Sequence, residues 1–191
     1  MKIVFATNNK NKLRELREMT AGSDIEILGL ADVGCNDEIV EDADTIEGNA
    51  LIKARYVKSK YGYDCFADDT GLEINALGGA PGVYSARFAG EDCNSERNID
   101  KVLSLMTSVE DRSARFVTVI ALCRENETKL FEGEVKGMIL ESRRGQGGFG
   151  YDSIFKPVES NLSFAEMTDE QKNKISHRGR AVEKLIKYLI G

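Results

Sequence analysis

A chain of 191 residues, 41% hydrophobic and 30% charged, has the composition of a folded soluble protein and can bury a core without metal or disulfide staples. Its 32 acidic residues against 26 basic ones leave a net charge of −6, the wrong balance for gripping DNA or RNA along the backbone. An anionic substrate therefore needs its own local cations or a metal.

Lys2 to Ala6 is a short apolar run ending in Thr7-Asn8-Asn9, which reads as a buried first strand and is too short for the apolar region of a signal peptide. Leu13, Leu16 and Met19 recur three apart among Lys and Glu, predicting a helix to about Ala21. Ile25 to Leu30 reads as a second strand, and the acidic stretch Ala31 to Asp44 as loop. From Thr45, apolar positions Ala50, Leu51, Ala54, Val57 and Tyr61 keep helical spacing until Gly62 stops the helix. Asp64 to Ala67 then runs into Asp68-Asp69-Thr70-Gly71, read as a strand end beside a glycine turn, with Leu72 to Leu77 beyond it. A glycine-rich loop covers Gly78 to Gly90, and Ile99, Val102, Leu103 and Met106 mark another helix.

Phe116 to Cys123 is apolar on both alternating faces, as a central strand covered on both sides should be. Glu125-Asn126-Glu127 turns it into a Thr128 to Val135 strand, and Val182, Leu185, Ile186, Leu189 and Ile190 form the stripe of a last helix. Strands and helices intermix in one domain over residues 1–191, so the class is α/β. Cys35, Cys65, Cys93 and Cys123 form no C-x-x-C pair and read as reduced thiols, and no segment is long and apolar enough for a bilayer. A cytoplasmic location is expected.

Four segments can carry chemistry. Thr7-Asn8-Asn9-Lys10-Asn11-Lys12 lies between a strand and a helix, where outward N–H groups and two lysines suit an anion, or where polar residues simply cap a helix. It is not a Walker A loop. Asp68 and Asp69 suit a hard cation such as Mg²⁺, which takes one or two carboxylates plus substrate phosphates. Adjacent strand residues face opposite ways, so the two aspartates should not share one role. Gly145 to Asp152 spells G-x-G-x-x-G, yet too little chain follows it for a dinucleotide fold. It offers Phe149 for stacking on a base and Asp152 for accepting from the base edge, or else a glycine loop with an inward phenylalanine. Finally, Lys172 and Ser176-His177-Arg178-Gly179-Arg180 place cations where the last helix begins, against its dipole. Such a placement suggests a carbonyl-rich or anionic ligand.

Taken together and in order, Thr7-Asn8-x-x-x-Lys12, Asn49-Ala50-x-x-Lys53-Ala54, Ala67 to Leu72, Gly79 to Arg87, Gly147 to Asp152 and Ser176 to Gly179 resemble the inosine/xanthosine triphosphate pyrophosphatase family, also called Ham1-like. The resemblance implies an elongated mixed sheet flanked by helices, in two lobes with a central substrate cleft, and a homodimer. It implies Mg²⁺-dependent hydrolysis of non-standard purine nucleoside triphosphates (ITP, dITP, XTP) to monophosphate and pyrophosphate, cleansing the nucleotide pool. Thr7, Asn8, Asn9, Lys10, Asn11 and Lys12 would hold the triphosphate, and Thr70 would contact substrate. Asp69 would be the general base and meet the metal, with Asp68 and Glu41 as further ligands. Phe149, Gly150, Tyr151, Asp152, Lys172, His177 and Arg178 would form the base pocket. The family pattern Glu-Thr-Gly-x-Thr before the second helix reads Glu41-Asp42-Ala43-Asp44-Thr45 here. Two other readings stay open at this point: a nucleotide sensor that does not cleave, disfavoured by paired carboxylates near phosphates, and a dinucleotide-dependent oxidoreductase, disfavoured by the glycine-loop context.

Overall fold

The computed structural model describes residues 1–191. Strand β1 (Lys2–Phe5) is buried from Ile3 onward and pairs in parallel with β2 (Glu26–Leu28) and with β3 (Cys65–Ile74). Parallel neighbours need a crossover between them. Helix α1 (Lys10–Met19) supplies it between β1 and β2, and α2 (Ile46–Tyr61) carries the chain from β2 past β1 to β3. Helix α2 starts on the Thr45 side chain, which accepts from the Gly48 N–H, and ends at Gly62 in the left-handed conformation, as the sequence predicts.

After α3 (Ser95–Leu105) come β5 (Ser113–Arg124) and β6 (Glu127–Ile139), joined by Glu125-Asn126, and then β7 (Phe155–Pro157) antiparallel to β6. The short β4 (Pro81–Gly82) is antiparallel to β3, and the seven strands run in the order β2-β1-β3-β5-β6-β7 with β4 on β3. Helices α4 (Asp169–Ile175) and α5 (His177–Ile190) close the chain. The class is α/β with a mixed sheet, as expected. No helix is long and apolar enough to cross a membrane.

One expectation fails locally. The segment Asp68-Asp69-Thr70-Gly71 is no strand end: β3 runs through it unbroken, and Gly71 holds no positive φ. Leu72 and Ile74, both fully buried, draw the chain onward as strand and override the poor strand propensity of Asp and Gly.

The chain forms two compact units, one of residues 1–69, 118–133 and 180–191, the other of residues 70–117 and 134–179. In the first, alternate residues of β1 and β3 enter separate apolar clusters. Ile3, Phe5 and Phe66 pack with Leu16 of α1, whereas Val4, Ala6, Cys65 and Ala67 pack with Ala50, Ala54 and Val57 of α2. The second unit has a single cluster built around Leu72, Ile74, Ile99, Phe116, Phe155 and Phe164.

Candidate active site

The alternation of β3 decides where its two aspartates point. Asp68 continues the series of Phe66 toward α1, and Asp69 that of Ala67 toward α2. Asp68 is 1% exposed, and its Oδ1 accepts from Lys12 Nζ at 3.0 Å. Asp69 is half-buried, and its Oδ2 accepts from Asn49 Nδ2 at 3.3 Å. The separate roles expected for the two carboxylates thus have a geometric basis.

On α2, Asn49 and Lys53 stand one turn apart on the same face as Ala50, Ala54 and Val57, and both are buried. Lys53 Nζ lies 2.7 Å from Glu41 Oε2. Burial alone would push the Lys53 ammonium toward its neutral form, but Asp69, Glu41 and Asp68 outweigh it and raise its pKa above the usual lysine value. Burial raises the Asp69 carboxyl above the usual carboxylate range, with Lys53 and Lys12 pulling the other way. The result is a carboxylate of raised proton affinity with two ammonium groups acting on it.

The three carboxylates proposed as metal ligands do not assemble into one cage: no group of three His, Cys, Asp or Glu side chains is arranged to hold a metal. Glu41 is engaged by Lys53 and Asp68 by Lys12. Asp69 fits Mg²⁺ all the same, because that ion commonly takes only one or two protein carboxylates and completes its shell with water and phosphate oxygens.

The polar turn ahead of α1 does what the plainer of its two readings expects. Asn9 is the N-cap, its Oδ1 accepting from the Asn11 and Lys12 N–H groups at 3.0 and 3.2 Å, and Thr7 Oγ1 accepts from the Asn9 N–H at 3.1 Å. Asn8, Asn9, Lys10 and Asn11 are exposed, while Thr7 and Lys12 are half-buried. Lys12 reaches from this segment to Asp68 of β3.

In the second unit the other predicted residues come together. Asp152, 4% exposed, accepts through Oδ2 from Lys172 Nζ at 2.8 Å and from the Phe149 N–H at 2.9 Å. The Lys172 ammonium lies 4.4 Å from the Phe149 ring centroid and the Arg178 guanidinium 5.5 Å. Phe149 itself is half-buried, so a ring stacked on it would meet two cations. Asp152 spends one oxygen on holding Lys172 and the Phe149 backbone, a duty not foreseen in its expected role at the base edge. Gly150 has φ +58° beside Tyr151, which is buried and donates from its hydroxyl to the Ser85 carbonyl at 2.6 Å. Thr70 is half-buried on β3.

His177 and Arg178, which the resemblance assigns to the base pocket, are 3% and 2% exposed. The His177 imidazole stacks on Phe116 with ring centroids 4.6 Å apart, so it also packs the core of this unit. Gly179 explains the motif's last letter: a Cβ there would lie 1.9 Å from the Asn173 carbonyl oxygen of α4. Gly179→Ala is expected to cost about 1–3 kcal/mol through overpacking, lowering Tm by about 2–4 °C per kcal/mol. An unchanged melting curve would show that α4 and α5 do not approach so closely.

A family model described as the Ham1 family matches residues 3–188. The chain belongs to the Ham1 family. It is 54% identical over 189 residues to a dITP/XTP pyrophosphatase of Christiangramia forsetii, covering 99% of each chain. Among solved structures it is similar to the Staphylococcus aureus Ham1 protein, with TM-score 0.90 and 38% identity over 100% of this chain and 99% of the other. A HAM1 protein from Coxiella burnetii matches with TM-score 0.91 and 37% identity, over 100% and 98%.

In the sequence Asn49 and Lys53 carry the Ham1 family resemblance without indicating a role. The signal for one lies in their setting. Two polar residues four apart, set into an apolar helical stripe, are buried on the face that looks at the sheet.

Proposed function

We propose that this chain hydrolyses ITP, dITP and XTP to the nucleoside monophosphate and pyrophosphate in a Mg²⁺-dependent reaction, acting as a homodimer that clears non-standard purines from the nucleotide pool. Family membership and relatives that carry the name dITP/XTP pyrophosphatase support this reading. The observation that carries it is the set of Lys12, Lys53, Asp68 and Asp69, where two largely buried ammonium groups accompany a carboxylate of raised proton affinity. Such an arrangement attracts phosphate and accepts a proton in the same place.

The cluster at Asp69 is assigned to the phosphates and the cluster at Phe149 to the base. Asp69 would hold a divalent cation, which when bound would neutralise charge on the phosphates and make the attacking water more acidic. Asp69 accepts the proton of the water as its oxygen bonds to the α-phosphorus and the α–β bridging bond breaks. Lys53 and Lys12 offset the negative charge that passes to the departing pyrophosphate. Arg178 and Lys172 are assigned to the 6-oxo group of hypoxanthine or xanthine, a position where adenine carries an amino group. A site whose buried donors go unpaired with the wrong base rejects it by up to several powers of ten.

The test is release of pyrophosphate from ITP, dITP and XTP against ATP and GTP, with Mg²⁺ and with EDTA. Orthophosphate as the product, or no preference between ITP and ATP, would overturn the reading. Lys12→Ala is expected to raise KM for the triphosphate and weaken inhibition by pyrophosphate, with a drop in Tm because Lys12 also offsets buried Asp68. A fall in Tm with KM and inhibition unchanged would confine Lys12 to that structural duty.

A further inference from the structure

Asn49 is 2% exposed, and both ends of its side-chain amide are in use. Its Oδ1 accepts from the Ala43 backbone N–H at 3.0 Å, and its Nδ2 donates to Asp69 Oδ2 at 3.3 Å. The orientation of the amide is fixed by chemistry, since a backbone N–H can only donate and an ionised carboxylate can only accept. Ala43 is brought within reach by the absence of a side chain at Gly48, where a Cβ would lie 2.6 Å from the Ala43 Cβ. The loop so anchored carries Glu41, two residues upstream, whose carboxylate meets Lys53 one turn further along the same helix.

We propose that Asn49 is the positioning residue of this reaction: its amide holds the Asp69 carboxylate in one orientation and ties to it the acidic loop that delivers Glu41 to Lys53. The proposal rests on the pyrophosphatase reading above and deepens it. Asn49 touches no reacting atom. It acts by limiting rotation of the group that does, and a small misplacement of a catalytic group can cost up to about 10²-fold in rate. A hydrogen bond to an ionised acceptor is the stronger kind, suited to holding such a group in place.

Asn49→Asp separates the two contacts, because it keeps an oxygen for the Ala43 N–H and loses the donor to Asp69. Asn49→Ala loses both. Relative to wild type, Asn49→Asp is expected to lower kcat for ITP by about tenfold or more with KM changed less than about threefold. Hydrogen exchange at the Ala43 amide should stay slow in Asn49→Asp and become fast in Asn49→Ala. A kcat within twofold of wild type in Asn49→Asp, with Ala43 still protected, would overturn the proposal, as would equally slow exchange at Ala43 in Asn49→Ala. If neither variant folds, the side-chain amide resonances of Asn49 in wild type and Asp69→Asn decide. A shift on loss of the charged acceptor supports the contact, and coincident resonances refute it. Wild-type enzyme that releases no pyrophosphate from ITP would instead defeat the functional reading, even with Ala43 protected.

Discussion

Asp69→Asn is expected to retain the fold and lose turnover of ITP by a factor of about 10² or more, the usual worth of a positioned general base. The substitution keeps size and leaves a carbonyl oxygen that can still accept from Asn49, yet it cannot take a proton from water. It also removes one of the negative charges that hold the buried Lys53 ammonium. Binding of the triphosphate should therefore suffer less than catalysis, because both lysines remain. Steady-state kinetics and pyrophosphate release measure this directly. Activity within a few-fold of wild type would take Asp69 out of the proton-accepting role.

Arg178→Ala is expected to lower kcat/KM for ITP by about 10- to 100-fold, the range set by ~1.5–3 kcal/mol for a hydrogen bond to a charged group, while the poor activity on ATP changes little. Phe149→Ala should weaken all purines together, since stacking is indifferent to exocyclic groups and is worth about 1–3 kcal/mol per base. The structure adds a cross-effect. Lys172 and Arg178 both lie against the Phe149 ring, so its removal also loosens the two donors and adds to the common loss a smaller further loss on ITP. Comparing ITP, GTP and ATP across both variants separates the roles. Equal proportional loss on ITP and ATP in Arg178→Ala would assign Arg178 to phosphate or packing.

Strong periodic signals were readable in this chain. Alternation put Asp68 and Asp69 on opposite faces, and the bounds of α2 at Thr45 and Gly62 followed from cap chemistry alone. Where local propensity and tertiary burial disagreed, the sequence misled: β3 continues through two aspartates and a glycine because the residues beyond them are core. Helix α4 lacks an apolar stripe. Its mark is the capping box of Thr168 and Gln171, a purely local signal. Strand β7 has only three residues and leaves no period to find. The residues proposed for the base were legible as types, but not the engagement of Asp152 by Lys172 or the stacking of His177 on Phe116, which arise from packing between distant segments.

Because the Asn9 carboxamide already fills the Asn11 and Lys12 amides, a phosphate arriving at the start of α1 displaces a ligand that the chain carries with it. What such an anion gains there is only the difference between a charged acceptor and a neutral one. Charged acceptors bond roughly twice as strongly, so the exchange favours polyphosphates and gives an uncharged nucleoside no advantage. The same internal competitor keeps the first turn of α1 satisfied whenever substrate is absent. On the proposed reading, selectivity for the phosphate chain at this end of the helix would be built from a resident occupant rather than from an open seat.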